Sequence, residues 1–249
     1  MSSIKKQPLV GFERFVAFDW LDQTAKWVIE GKSPKEVHDL IDDYLASQIS
    51  GDTSKRKTKN VLSGVWVKSD GVDPEYKEQA KNLYLMANRT EKIAINYGLF
   101  IASYPFFYSL GRILGRLFKL QDDVTNAEFY RRCVEANGDR ESIKRAAARY
   151  LQSVVEWGLL DDAESAKVKP TKKIVIDNPS IVTWLMTSVL FSSDRERLSV
   201  DELLSDPIWF PFEISTRDFQ IGESQLLEVV HQNVGSVLLA LKVPERRLK

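Results

Sequence analysis

Between positions 140 and 152, four cations and one amide, Arg140, Lys144, Arg145, Arg149 and Gln152, stand against a single acid, Glu141. Guanidinium forks and a carboxamide hydrogen-bond base edges, whereas ammonium groups act on phosphates as point charges. Lys167, Lys169, Lys172 and Lys173 form a second basic group. Lys55, Arg56, Lys57 and Lys59 form a third. Double-stranded DNA is the partner for which these residue types fit. Arg145, Arg149 and Gln152 would then read sequence, and the lysines would position the phosphate backbone. The run from Lys55 to Lys59 has no apolar anchor and reads first as a solvated loop, with a phosphate grip as its secondary role.

Other chemistries lack their residues. His38 and His231 are the only histidines and Cys133 is the only cysteine. A histidine-pair metal site or a serine triad would have to be assembled from scattered singles, and no glycine-rich phosphate loop or zinc-finger spacing occurs. The pairs Asp42-Asp43, Asp122-Asp123 and Asp161-Asp162 point apart on a helix or serve as caps and turns, so they are poor acid–base pairs. The expectation is a protein without catalysis, cofactor or metal. A lone cysteine excludes an intramolecular disulfide framework and favours a reducing, cytoplasmic setting. Charges at Glu13, Arg14 and Asp19 interrupt any signal-peptide core.

Basic and acidic residues are equal in number, 35 of each, so a polyanion would have to be met by a local patch rather than by net charge. With 43% hydrophobic and 28% charged residues, the chain reads as globular rather than disordered.

The elements that must position these cations follow from periodicity and caps. Phe12 to Val28 recurs at helical spacing and stops at Gly31. Ser33-Pro34-Lys35-Glu36 is a capping box opening a second helix, Asp73-Pro74-Glu75 opens another through about Asn88, and Thr90-Glu91 caps one more. Ile93 to Gly111 carries no charge and approaches the length of a membrane span. Pro105 has no amide hydrogen, so the run divides into two elements at Tyr104-Pro105 and reads as buried core. The Gly111 to Gly115 spacing fits close helix packing.

Phe106 to Leu120 then forms a helix, Thr125 caps a second, Asn137-Gly138 ends it, and Asp139 caps a third from Arg140 to about Trp157. On that third helix Ile143, Ala146, Ala147, Tyr150, Leu151 and Val154 share one side. Glu141, Arg145, Ala148, Arg149 and Gln152 share the other, with Lys144 at the flank. Trp157 to Leu160 and Lys173 to Ile176 read as the strands of a β-hairpin, or wing, joined by the lysine-bearing loop. Further on, Ile181 to Phe191 and Val200 to Ser205 read as helices, Pro207 to Ile214 as an extended aromatic segment, and Leu226 to Val230 and Val237 to Leu241 as paired strands. Trp209, Phe210 and Phe212 suit core better than a docking ridge.

The expected fold is thus mainly α (α+β): a helical region at 1–89, a winged helix-turn-helix at 90–178, and a helix with short β segments at 179–249. Ile95 to Leu99, Tyr104 to Phe107, Gly111-Arg112, Leu120-Gln121, Arg131-Arg132, Gly138-Asp139-Arg140 and Glu156 to Leu160 resemble a group of uncharacterised bacterial winged-helix proteins over about residues 90–215. Together with Ser54-Lys55-Arg56, the N-terminal two-thirds is similar to the small A component of BREX phage-defence systems. The aromatic tail after Pro207 lies outside that second likeness. The resemblance implies an all-helical N-terminal part and DNA binding without catalysis, beside larger protein subunits of a defence or modification complex; no membrane partner is expected, since the charge-free run reads as buried core. A protein-interaction scaffold and a transcriptional regulator are the alternatives. A homodimer is open to a groove-reading helix, although no heptad seam marks one.

Overall fold

The structure, a computed structural model, describes residues 11–68, 71–163, 166–215, 225–232 and 236–242. Their order begins with α1 (Phe18–Ile29), α2 (Pro34–Ala46), α3 (Asp52–Trp66), α4 (Pro74–Met86), α5 (Arg89–Ser103) and α6 (Pro105–Phe118). It continues with β1 (Val124–Thr125), α7 (Asn126–Asn137), α8 (Glu141–Glu156), β2 (Leu160–Ala163), β3 (Lys167–Pro170) and β4 (Ile174–Ile176). Last come α9 (Pro179–Ser192), β5 (Arg197–Ser199), α10 (Val200–Leu204), a short 3-10 turn Pro207–Trp209, β6 (Phe212–Ile214), β7 (Leu227–Gln232) and β8 (Ser236–Leu241). The described chain is mainly helical with small sheets, an α+β arrangement.

Local chemistry sets several of these ends. Ser33 and Glu36 complete their reciprocal capping box at α2, and Thr125 accepts the Glu128 N–H at 3.1 Å to start α7. At α5 the cap is Asn88 rather than Thr90: its side chain accepts the N–H groups of Thr90 and Glu91, and Glu91 returns the bond to Asn88. The first predicted helix is shorter than its periodicity. Phe12 and Val16 are fully buried but belong to an irregular segment that precedes α1.

The largest correction concerns Lys55, Arg56, Lys57 and Lys59, which lie on α3 and not in a loop. The polar first half of that helix is carried by its second half, where Val61, Leu62, Val65 and Trp66 are buried. The C-terminal carbonyls of α3 are met by a buried ammonium, for Lys77 donates to Gly64 O at 2.7 Å and also to Lys68 O.

The charge-free run folds into the centre of the molecule. Every residue of α5 from Ile93 to Ala102 is buried, and Pro105 turns the chain by 116° into α6. Among the described residues no single helix is long and apolar enough to cross a membrane. Helix α9, apolar on all sides, packs on α5 where Gly98 leaves room: a Cβ there would lie 2.8 Å from the Leu185 side chain. Trp184 of α9 also stacks on Tyr76 of α4, with centroids 4.4 Å apart and planes within 6°. One continuous cluster of buried side chains runs from Phe12 to Leu239, through all three segments expected from the sequence.

The strands differ from expectation in pairing. β2 pairs antiparallel with β3, bringing Asp161 opposite Lys169, and β1 adds to the other side of β3. Ile174–Ile176, expected as a hairpin strand, instead runs parallel to Phe212–Ile214. The aromatic segment is core: Ile208, Trp209, Phe210 and Phe212 are all buried. β7 and β8 pair antiparallel as expected, and β5 flanks β8.

The 3-10 turn lies so close to α6 that a Cβ on Gly115 would collide with the Pro207 carbonyl. Backbone on both sides leaves no flexible atom to yield. Gly115→Ala therefore destabilises the fold by about 1–3 kcal/mol, read as a lower urea midpoint at unchanged slope.

Candidate nucleic-acid interface

Helix α8 is mounted by its apolar face. Ile143, Ala146, Ala147, Tyr150 and Val154 are fully enclosed and Leu151 nearly so, as the helical wheel predicted. The Tyr150 hydroxyl lies 3.2 Å from that of Tyr97, which donates to the Ile208 carbonyl at 3.1 Å. Desolvation drives both phenol pKa values up, so the pair stays neutral and hydrogen-bonding. Before α8, Gly138 at φ +90° ends α7, and Arg140, in extended conformation, occupies the N-cap. Asp139 does not cap the helix; its carboxylate lies 3.0 Å from the Lys144 ammonium and raises the lysine pKa.

Opposite the buried face, Lys144, Arg145 and Gln152 are exposed, whereas Arg149 is half-buried. Arg145 lies 3.6 Å from Glu13, and Arg149 donates to Gln152 Oε1 at 2.6 Å. Arg140 is different: its Nε and Nη2 are shut off from solvent and have no hydrogen-bond partner among the described residues, so it is turned inward relative to this surface.

The second basic group divides. Lys167 and Lys169 lie on β3 itself, the former 3.1 Å from Asp123 and the latter exposed. Lys172 and Lys173 are exposed beyond the strand, and Lys173 edges a different cavity of about 360 Å³ beside Lys119, Trp209 and Phe210. In the third group Lys59 is bound to Asp42 of α2, and Lys55 lies 3.9 Å from Asp52. Arg56 and Lys57 are exposed and have no acidic partner among the described residues.

What sequence reasoning missed is the segment that joins these groups. Residues 11–17 lie along α8: Val16 N–H donates to Ser153 Oγ at 3.0 Å, and Trp157 Nε1–H donates to Val16 O at 2.9 Å. Arg14 thereby lies between two cavities. One, of about 250 Å³, also includes Lys57, Asn60 and Tyr104; the other, of about 350 Å³, includes Trp20, Ser54 and Arg149. The outer edge of α8 and the outer face of α3 thus border one surface. No local pattern marks Arg14, because only the packing of α1 and α3 beside α8 gives it neighbours.

No other chemistry is assembled among the described residues. Burial pushes the Cys133 thiol up to about 12, which keeps it protonated and inert. His38 Nε2 is enclosed without a hydrogen-bond partner among the described residues, and the side chain of His231 lies outside them. No group of three metal-ligating side chains occurs among them. No protein-family model, curated protein or solved structure matches the chain.

Ser153 Oγ both accepts from Val16 and donates to Arg149 O, the latter at 2.9 Å. Ser153→Ala leaves the buried Val16 N–H unpaired and lowers stability by about 1–3 kcal/mol, measured by chemical denaturation.

Proposed function

We propose that the chain is a non-enzymatic DNA-binding protein with a winged helix-turn-helix at its centre. It acts as a cytoplasmic accessory subunit beside larger proteins of a prokaryotic phage-defence or DNA-modification system. The supporting observation is the sequence of elements α6, β1, α7, α8, β2, β3, with β3 central in its sheet and the basic face of α8 outward. A short turn between α7 and α8 and a hairpin after α8 suit insertion of that helix into the major groove. The likeness to the small A component of BREX systems supports the defence setting.

Lys144, Arg145 and Gln152 of α8 meet the groove, Lys169 of the hairpin follows the backbone, and Arg56 and Lys57 of α3 extend the cationic surface. The ion pairs on this face do not prevent it. Lys144 and Asp139 are 50% and 71% exposed, and Arg145 and Glu13 are 58% and 32% exposed. Such pairs contribute about 0–1 kcal/mol, so phosphates at one charge per about 1.7 Å of duplex can replace the carboxylates. The same acids give a mixed-sign face that also suits a protein partner, which makes a docking scaffold the second reading.

Binding of a random-sequence duplex across a salt series separates the two. Lys144→Ala with Arg145→Ala weakens binding and flattens the log–log salt slope by about 1.8, since each phosphate that is no longer neutralised removes about 0.9 from it. An unchanged slope moves the interface elsewhere. A wild-type chain that binds no duplex at low salt favours the scaffold.

A further inference from the structure

The cavity of about 350 Å³ between α8, the start of α1 and the α2–α3 turn has the composition of an anion site and not of a packing defect. Arg14 and Arg149 both line it, and none of the described residues that line it is acidic. The Nε of Arg14 is shut off from solvent and has no hydrogen-bond partner among the described residues. Among the described residues Arg149 is matched only by the neutral carboxamide of Gln152. Two arginines that line a half-enclosed space, with no carboxylate among its described lining residues, leave positive potential there that water screens less than on the open surface.

The opposite wall adds donors. Ser50 and Ser54 line the cavity, and Ser54 belongs to the first turn of α3. That 15-residue helix starts from Gly51, at φ +97°, with no side-chain cap, so its first N–H groups have no intrahelical acceptor. Asp52, the acid of the first turn, is fully exposed and does not line the cavity. The positive end of the helix dipole reinforces the two arginines. Gln48, Ile49 and Thr58 also line the cavity, together with the aromatic rings of Phe15 and Trp20, which meet edge to face with centroids 5.5 Å apart. The volume lies at the lower end of the roughly 300–1,000 Å³ common for small-ligand sites.

We infer that this cavity binds a phosphate monoester carried on a planar ring, a ligand of mononucleotide size. Its phosphate lies between Arg14, Arg149 and the start of α3, and its ring lies against Phe15 and Trp20. The inference does not rest on duplex binding, for which Lys144 and Arg145 are the test residues.

Calorimetric titration of the full chain with adenosine 5′-monophosphate, adenosine and inorganic phosphate tests it. The monophosphate gives saturable binding, and both adenosine and phosphate alone bind at least about tenfold more weakly. Arg14→Ala and Arg149→Ala each weaken the monophosphate by about tenfold or more, whereas Lys144→Ala with Arg145→Ala leaves it unchanged. Ser54→Asp guards against a folding artefact. A carboxylate in the first turn of α3 suits the helix and keeps the melting temperature, yet it repels the phosphate and abolishes binding. The assignment falls if the monophosphate gives no saturable heat, or if Ser54→Asp and both arginine variants bind it as the wild type does. It falls equally if the monophosphate gives no heat while the arginine variants weaken duplex binding, because the cavity then holds a backbone phosphate.

Discussion

The arrangement depends on one peptide unit. Val16 contributes its N–H to Ser153 and its carbonyl to Trp157, both in buried hydrogen bonds to side chains at the C-terminal end of α8. Phe18 N–H continues the clasp onto Glu156 Oε2 at 2.7 Å, which supplies an acceptor where Ala17 has no side chain to cap α1. Burial raises the pKa of the Glu156 carboxyl, with the Phe18 amide acting in the opposite direction. Partners this far apart in sequence cannot be replaced by water in a closed interior, so the start of α1 is pinned to α8. Glu13 and Arg14 follow from that pin, as does the border that α8 shares with α3.

Behind this surface, the framework is apolar and tight. α5 lies buried between α4, α6 and α9, and close approaches at Gly98 and Gly115 leave no room for a β-carbon. Phe12 meets Phe100 and Phe107 edge to face, which extends the same core under the irregular segment. Under the proposed duplex binding a rigid mounting matters, since phosphate and base-edge contacts fall off with small displacements. The charges outside are almost balanced by neighbouring acids, so the surface is one on which contacts exchange and not one of strong fixed potential.

Features that obey a local rule were legible in the sequence. The buried face of α8 follows the wheel residue by residue, and Glu141, Arg145 and Gln152 of the opposite face are exposed, because the helix has one neighbour side and one free side; Arg149 is half-buried. The Ser33 box, the Thr125 cap and the break at Pro105 are likewise properties of a few adjacent residues. The first half of α3 escaped because its helicity is supplied by Val61, Leu62, Val65 and Trp66 further along, while its own residues are polar. The hairpin register escaped because Ile174–Ile176 has a better partner in Phe212–Ile214, a long-range parallel match that no adjacent pattern encodes. Arg14 and the cavities beside it exist only as products of packing.

The central claim is that α8, the hairpin after it and α3 act as a single duplex-facing surface. Lysine acetylation footprinting with mass spectrometry, with and without a saturating duplex at low salt, tests it most directly. Lys144, Lys169 and Lys57 should lose reactivity together, while exposed Lys32 and Lys35 at the start of α2 stay as reactive as in the free protein. Protection confined to one of the three elements, or spread equally to Lys32 and Lys35, would contradict a shared surface.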